Sequence, residues 1–101
     1  MEFNYEKEDK LLVMKPIDEI DHHIAEKIRR KADYEIQRYM PKKAVFDFSK
    51  VNFMDSAGIG LIIGRYKMVS MLGGTLEIRN ATSSVKRILE MSGILKIIPI
   101  I

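Results

Sequence analysis

The spacing of apolar residues changes several times along this chain of 101 residues, and each change predicts an element. Phe3 and Tyr5 alternate with polar neighbours in the stretch Phe3 to Glu8, and Leu11-Leu12-Val13-Met14 fills the stretch Lys10 to Lys15. The turn-like Glu8-Asp9-Lys10 between them predicts an antiparallel hairpin. Pro16 ends the second strand because it has no N–H for a ladder. From Asp21 the period lengthens: Ile24, Ile28, Ala32, Ile36 and Tyr39 recur at helical spacing among charged residues. Asp21 suits the N-cap, since a carboxylate accepts from the free N–H groups of a first turn. Pro41 lies just beyond the end.

Ala44 to Phe48 has the composition of a buried strand, interrupted by Ser49-Lys50. Val51-Asn52-Phe53-Met54-Asp55-Ser56-Ala57-Gly58-Ile59-Gly60 then reads as a strand end, a tight loop and a helix start. That helix is expected over about Ser56 to Met71, stopped by Gly73-Gly74, because glycine readily takes the left-handed conformation after a helix. Thr75 to Asn80 reads as a strand. Ser83 or Ser84 is expected to cap a third helix with Val85, Ile88, Leu89 and Met91 on its apolar face, ended by Gly93. Lys96 to Ile101 reads as a last strand, at an edge because of Pro99. Strand–helix alternation from Ala44 onward implies parallel strands with right-handed crossovers. The expected fold is one α/β domain over residues 1–101: a mixed, mostly parallel sheet with an N-terminal antiparallel hairpin and helices packed on it.

Composition narrows the function classes. The chain is 47% hydrophobic and 31% charged, as in soluble globular domains. It has no cysteine, which excludes disulfides and thiolate metal sites. MEFNYEKEDK has no apolar core of a signal peptide. The apolar run Ala57 to Gly64 is far short of the roughly 20 residues a membrane helix needs. A cytoplasmic protein without membrane contact is the expectation. The net charge of +3 is scattered, with small clusters at Arg29-Arg30-Lys31 and Lys42-Lys43 and no interleaved aromatics, so no nucleic-acid partner is expected.

Ser56 has two open roles: a helix cap, or a hydroxyl presented for another protein to modify. Catalysis by this chain is not expected. A nucleophilic serine needs a base, and the only histidines, His22 and His23, point about 100° apart at the start of the first helix. They also lack the i, i+4 spacing of two metal ligands, so neither metal nor cofactor is expected. Gly58 and Gly60 follow a strand and open a helix, but Gly64 comes one residue late for a dinucleotide fingerprint. A small ligand or nucleotide at the helix N-terminus stays an alternative. At Gly60 and Gly64, close packing against backbone is expected for at least one.

The second helix is apolar on both sides. Ile59, Ile62, Ile63, Tyr66 and Val69 are assigned to the sheet. Gly60, Leu61, Gly64, Met68 and Met71 lie opposite, with Arg65 and Lys67 at the margins. An outer face of small residues and methionine suits a docking surface. A phosphate on Ser56 beside it would add about −1.5 to −2 charges. The helix N-terminus would tolerate that charge, so its effect would fall on the docked partner.

Phe53-Met54-Asp55-Ser56-Ala57-Gly58-Ile59-Gly60, with Gly64-Arg65-Tyr66-Lys67, resembles the signature of the anti-sigma factor antagonists. These are single-domain members of the sulfate transporter and anti-sigma factor antagonist (STAS) family. Asp21-His22-His23, Val85-Lys86-Arg87, Met91-Ser92-Gly93 and Lys96-Ile97-Ile98 extend the likeness along the whole chain and are similar to the sporulation branch. The resemblance implies a non-enzymatic switch. By that resemblance Ser56 would be phosphorylated by an anti-sigma factor that is also a serine kinase using Mg-ATP. The unphosphorylated form would bind that kinase and release its sigma factor, and a serine phosphatase would reset the system. Asp21 matches the family's acid near the serine. With the outer face of the second helix added to this motif, the expected binding set is Asp21, Asp55, Ser56, Ala57, Gly58, Gly60, Leu61, Gly64 and Met68. A stress-response member with a different kinase is the near alternative. Two departures stand out. Asp18 occupies a position that is glycine in many relatives. The sequence also stops at Ile101 where relatives usually continue into another helix, which would favour weak self-association.

Overall fold

The computed structural model describes residues 1–101. The hairpin forms as expected, with strand β1 (Glu2–Glu6) antiparallel to β2 (Leu11–Lys15). A short strand not foreseen from the sequence, β3 (Asp18–Ile20), precedes helix α1 (His22–Tyr39). There follow β4 (Lys43–Asp47), β5 (Val51–Met54), α2 (Ser56–Met71), β6 (Thr75–Arg79) and α3 (Ser83–Ser92). The order β1-β2-β4-β6 makes a four-stranded mixed sheet whose β2–β4 and β4–β6 pairs are parallel. Strands β3 and β5 form a separate parallel pair.

The register explains the core. Leu12, Ala44 and Leu76 form one row across the sheet, and Met14, Phe46 and Ile78 the next. All six are buried on the face that α1 and α2 cover. Helix α1 contributes Ala25, Ile28, Ala32 and Ile36 to that interface. Tyr39, at its far end, stacks on Tyr5 of the hairpin with ring centroids 4.1 Å apart. Helix α3 packs against β5.

Three expectations are corrected. Thr82, not Ser83 or Ser84, caps α3: its Oγ1 accepts from the Val85 N–H at 3.5 Å and donates to the Val51 carbonyl at 2.9 Å. Thr82 is thereby tied to β5 as well as to its own helix, which a local pattern does not reveal. On α3, Val85 and Leu89 are buried whereas Met91 is exposed. The Lys96 to Ile101 stretch is not a full strand. A 3₁₀ turn, Ile94–Lys96, follows Gly93, and only Ile100 bridges to β6, parallel, at Ile78. The carbonyl of Pro99 accepts from the Ile78 N–H there, so the stretch does lie at the β6 edge.

β3 exists through its pairing with β5, and at its start Asp18 donates its N–H to the Lys50 carbonyl at 2.8 Å. Asp18 does so with φ +68°, a left-handed conformation that favours glycine, and the register shifts at that point. The departure at Asp18 therefore falls where a side chain is strained.

Candidate functional site

β3 and β5 end in register, with Ile20 opposite Met54. The next residue in each strand, Asp21 and Asp55, caps a helix. Asp21 Oδ1 accepts from the Ile24 N–H at 2.9 Å, and Asp55 Oδ1 accepts from the Ala57 N–H at 2.8 Å. The Asp55 N–H donates to the Ile20 carbonyl at 3.2 Å, stitching the two helix starts together. Two helix N-termini and two carboxylates thus share one end of the domain, and Ser56 stands among them.

Ser56 is not the cap. Asp55 takes that role, Ser56 is the first residue of α2, it is exposed, and its hydroxyl has no partner within the protein. The fold does not use this hydroxyl. His22 is the corresponding first residue of α1, and both histidines are exposed.

Helix α2 is rotated relative to the expected assignment. Its inward stripe is Gly58, Leu61, Ile62, Arg65 and Val69. Ile59, Ile63 and Tyr66 are only partly buried at its flanks. Leu61 is therefore not part of an outer face: it is 4% exposed in the protein core. A helix apolar all round has no polar side from which to read its orientation. Gly60, Gly64, Lys67, Met68 and Met71 do remain at the surface, Met68 half-buried and Met71 87% exposed. Gln37, Gly64, Lys67, Met68, Met71 and Leu72 line a cleft of about 350 Å³.

The glycines also divide differently. A Cβ on Gly60 or Gly64 meets nothing within 4 Å, so neither is there for close packing. Gly58 is the packing glycine: a Cβ there would lie 2.6 Å from Met54 Sδ and closer still to its Cγ. Gly58 is buried and so supports the loop instead of presenting a contact surface.

Arg65 and its surroundings were not legible as a site. Arg65 is only 8% exposed, and its Nε lies 2.8 Å from Asp33 Oδ1 of α1. The two atoms are close but not aligned as a hydrogen bond, and Arg65 Nη1 is likewise enclosed without an acceptor. Burial lowers the Arg65 pKa and Asp33 opposes the change; the guanidinium stays charged. Asp33 Oδ2 also faces Arg29 at 3.5 Å. Arg29 in turn donates to Glu26, and that hydrogen bonding holds the Glu26 carboxyl at about 2. A cleft of about 180 Å³ runs between α1 and α2, lined by His22, Ala25, Glu26, Arg29, Ala57, Gly60, Leu61 and Arg65. A hint lies in the spacing: Arg65 falls four residues from both Leu61 and Val69 of the inward stripe, and Asp33 follows the buried Ala32.

A model of the STAS domain matches residues 2–101. An anti-sigma F factor antagonist from Paenibacillus polymyxa is 38% identical over 90 residues, 89% of this chain and 77% of the relative. An anti-sigma-B factor antagonist from Bacillus subtilis is also 38% identical, but over 50 residues, half of this chain and 46% of that protein. Among solved structures, the anti-sigma factor antagonist SpoIIAA in its unphosphorylated form superimposes with a TM-score of 0.80 at 27% identity, covering 99% of this chain and 88% of the other. The Bacillus cell fate determinant SpoIIAA in the phosphorylated form gives 0.71 at 26%, covering 99% and 91%.

Proposed function

The chain belongs to the STAS domain family, and we propose that it works there as an anti-sigma factor antagonist switched by phosphorylation of Ser56. The observation that carries this reading is the division of labour between Asp55 and Ser56. Asp55 caps α2, which leaves the Ser56 hydroxyl exposed and unbonded at the first turn. A serine needed as the cap would be tied to the backbone and poorly available to a kinase. That the fold is shared with a relative studied in both unphosphorylated and phosphorylated forms supports the same reading. The longer match to the sigma F branch than to the sigma B branch favours the former as the pathway.

In this reading, the unphosphorylated protein docks on an anti-sigma factor that is also a serine kinase. The contact surface is the helix-start end with Asp21, Asp55, Ser56 and Ala57, continued along α2 by Gly60, Gly64 and Met68. The absent side chains at Gly60 and Gly64 let a partner approach the α2 backbone closely. The kinase transfers the γ-phosphoryl group of Mg-ATP to Ser56 Oγ, breaking the β–γ phosphoanhydride bond and releasing Mg-ADP, and the hydroxyl proton leaves to a base on the kinase. The new dianionic group sits at the positive end of α2 but beside Asp21 and Asp55. The domain tolerates it, and the docked partner meets the added charge. A serine phosphatase reverses the step. The chain itself supplies a modifiable hydroxyl and a surface, not a catalytic group.

The test is to mix the protein with the anti-sigma kinase and Mg-ATP and to locate the phosphate by mass spectrometry. Modification at Ser56 with release of the complex supports the reading. Modification elsewhere, or none, sinks it.

A further inference from the structure

Arg65 is a buried cation with too few acceptors. Of its three nitrogens, Nε and Nη1 are enclosed and lack a hydrogen bond. Nη2 is the one that is neither enclosed nor bonded, and Arg65 lines the cleft between α1 and α2. Arg29 and Arg65 stand against two carboxylates, Glu26 and Asp33, but Glu26 is already committed to Arg29 and Asp33 is shared between Arg29 and Arg65, so the donors of Arg65 remain short of acceptors. Desolvating a guanidinium is costly unless its donors find acceptors, and a forked guanidinium matches a carboxylate in geometry.

We propose that this cleft receives a carboxylate side chain, Asp or Glu, from the docked anti-sigma factor, with Arg65 Nη2 as its main donor and Arg29 beside it. This rests on the docking reading above and names what the partner inserts. It also accounts for the direction of the switch. Ala57 lines the cleft and Ser56 precedes it in the chain. A phosphate on Ser56 places about −1.5 to −2 charges one residue from the cleft-lining Ala57, and that charge repels an incoming carboxylate. Unphosphorylated protein admits the acidic side chain; phosphorylated protein excludes it.

The test compares wild type with the double variant Arg65→Gln/Asp33→Asn, which removes both members of the buried pair and leaves no isolated charge. Binding to the anti-sigma factor is measured by calorimetry, and thermal unfolding reports the fold. The expected result is a folded variant that binds about 30-fold more weakly or worse, as for loss of a buried interfacial charge contact. A folded variant with unchanged affinity overturns the proposal. Wild-type protein provides a second readout should the variant not fold. The guanidinium 15N–1H resonances of Arg65 are expected to shift and exchange more slowly in the complex, and unaltered resonances overturn the proposal as well. If wild type fails to bind the anti-sigma factor at all, the docking reading falls first and this inference with it.

Discussion

The Asp55 N–H donates to the Ile20 carbonyl at 3.2 Å, and this contact between neighbouring strand ends sets the geometry of the site. It brings the starts of α1 and α2 together and lets Asp55 turn its carboxylate onto the Ala57 N–H. Ser56 follows with its hydroxyl uncommitted. Asp55→Ala is expected to cost about 1 kcal/mol of stability, the usual loss for an N-cap. Asp55→Asn keeps an accepting oxygen and is expected to be nearly neutral. Denaturant unfolding of the two variants checks this. Equal losses would mean that the charge matters and not the cap.

The hairpin, α1 and the glycine stops are readable because each rests on local chemistry: alternation, helical period and left-handed residues; α2 is readable from the strand-end motif before it and Gly73-Gly74 after it. What was hidden is tertiary. β3 depends on its pairing with the distant β5, and the Thr82 cap on its tie to Val51. The orientation of α2 is unreadable because its sequence is apolar all round, and the pattern puts Leu61 outside and Arg65 at a margin where the fold buries both. The helix start that carries Ser56 is legible, but Asp55 being the cap requires the backbone.

The glycines of α2 are expected to behave in opposite ways. Gly58→Ala forces its Cβ against the fully buried Met54 and should destabilise by about 1–3 kcal/mol through overpacking. Gly60→Ala meets open space and should stabilise by about 1 kcal/mol through helix propensity. Gly60→Leu should remain folded yet weaken binding of the anti-sigma factor. Melting temperatures and a binding titration separate these outcomes. Destabilisation at Gly60 would show that it serves the fold and not a partner.

Asp18 holds φ +68° at the bulge of β3. Relieving this conformation with Asp18→Gly should stabilise the domain by about 1 kcal/mol, with the N–H to Lys50 retained. Urea unfolding is the measurement. A loss of stability would indicate that the Asp18 side chain makes a favourable contribution that outweighs its backbone strain.

Glu26 provides a pH-dependent signature of the charge cluster. Hydrogen bonding from Arg29 is the largest influence on it, opposed by desolvation, and its pKa falls from the ordinary 4.5 to about 2. Because the folded value lies below the unfolded one, the pairing contributes fully above about pH 4.5 and fades as pH falls through about 2. The side-chain carboxyl 13C of Glu26 should titrate near 2 and return towards 4.5 in Arg29→Ala. A titration near 4.5 in wild type would mean that the Arg29 contact does not persist in solution.

The most direct test of the central claim is the affinity of the anti-sigma factor for wild type, for wild type phosphorylated on Ser56, for Ser56→Ala and for Ser56→Asp, measured side by side by calorimetry. Unphosphorylated wild type and Ser56→Ala are expected to bind alike, with Ser56→Ala still bound in the presence of Mg-ATP, while the phosphorylated protein and Ser56→Asp bind poorly. Equal affinity of the phosphorylated and unphosphorylated forms would contradict the claim that Ser56 gates docking.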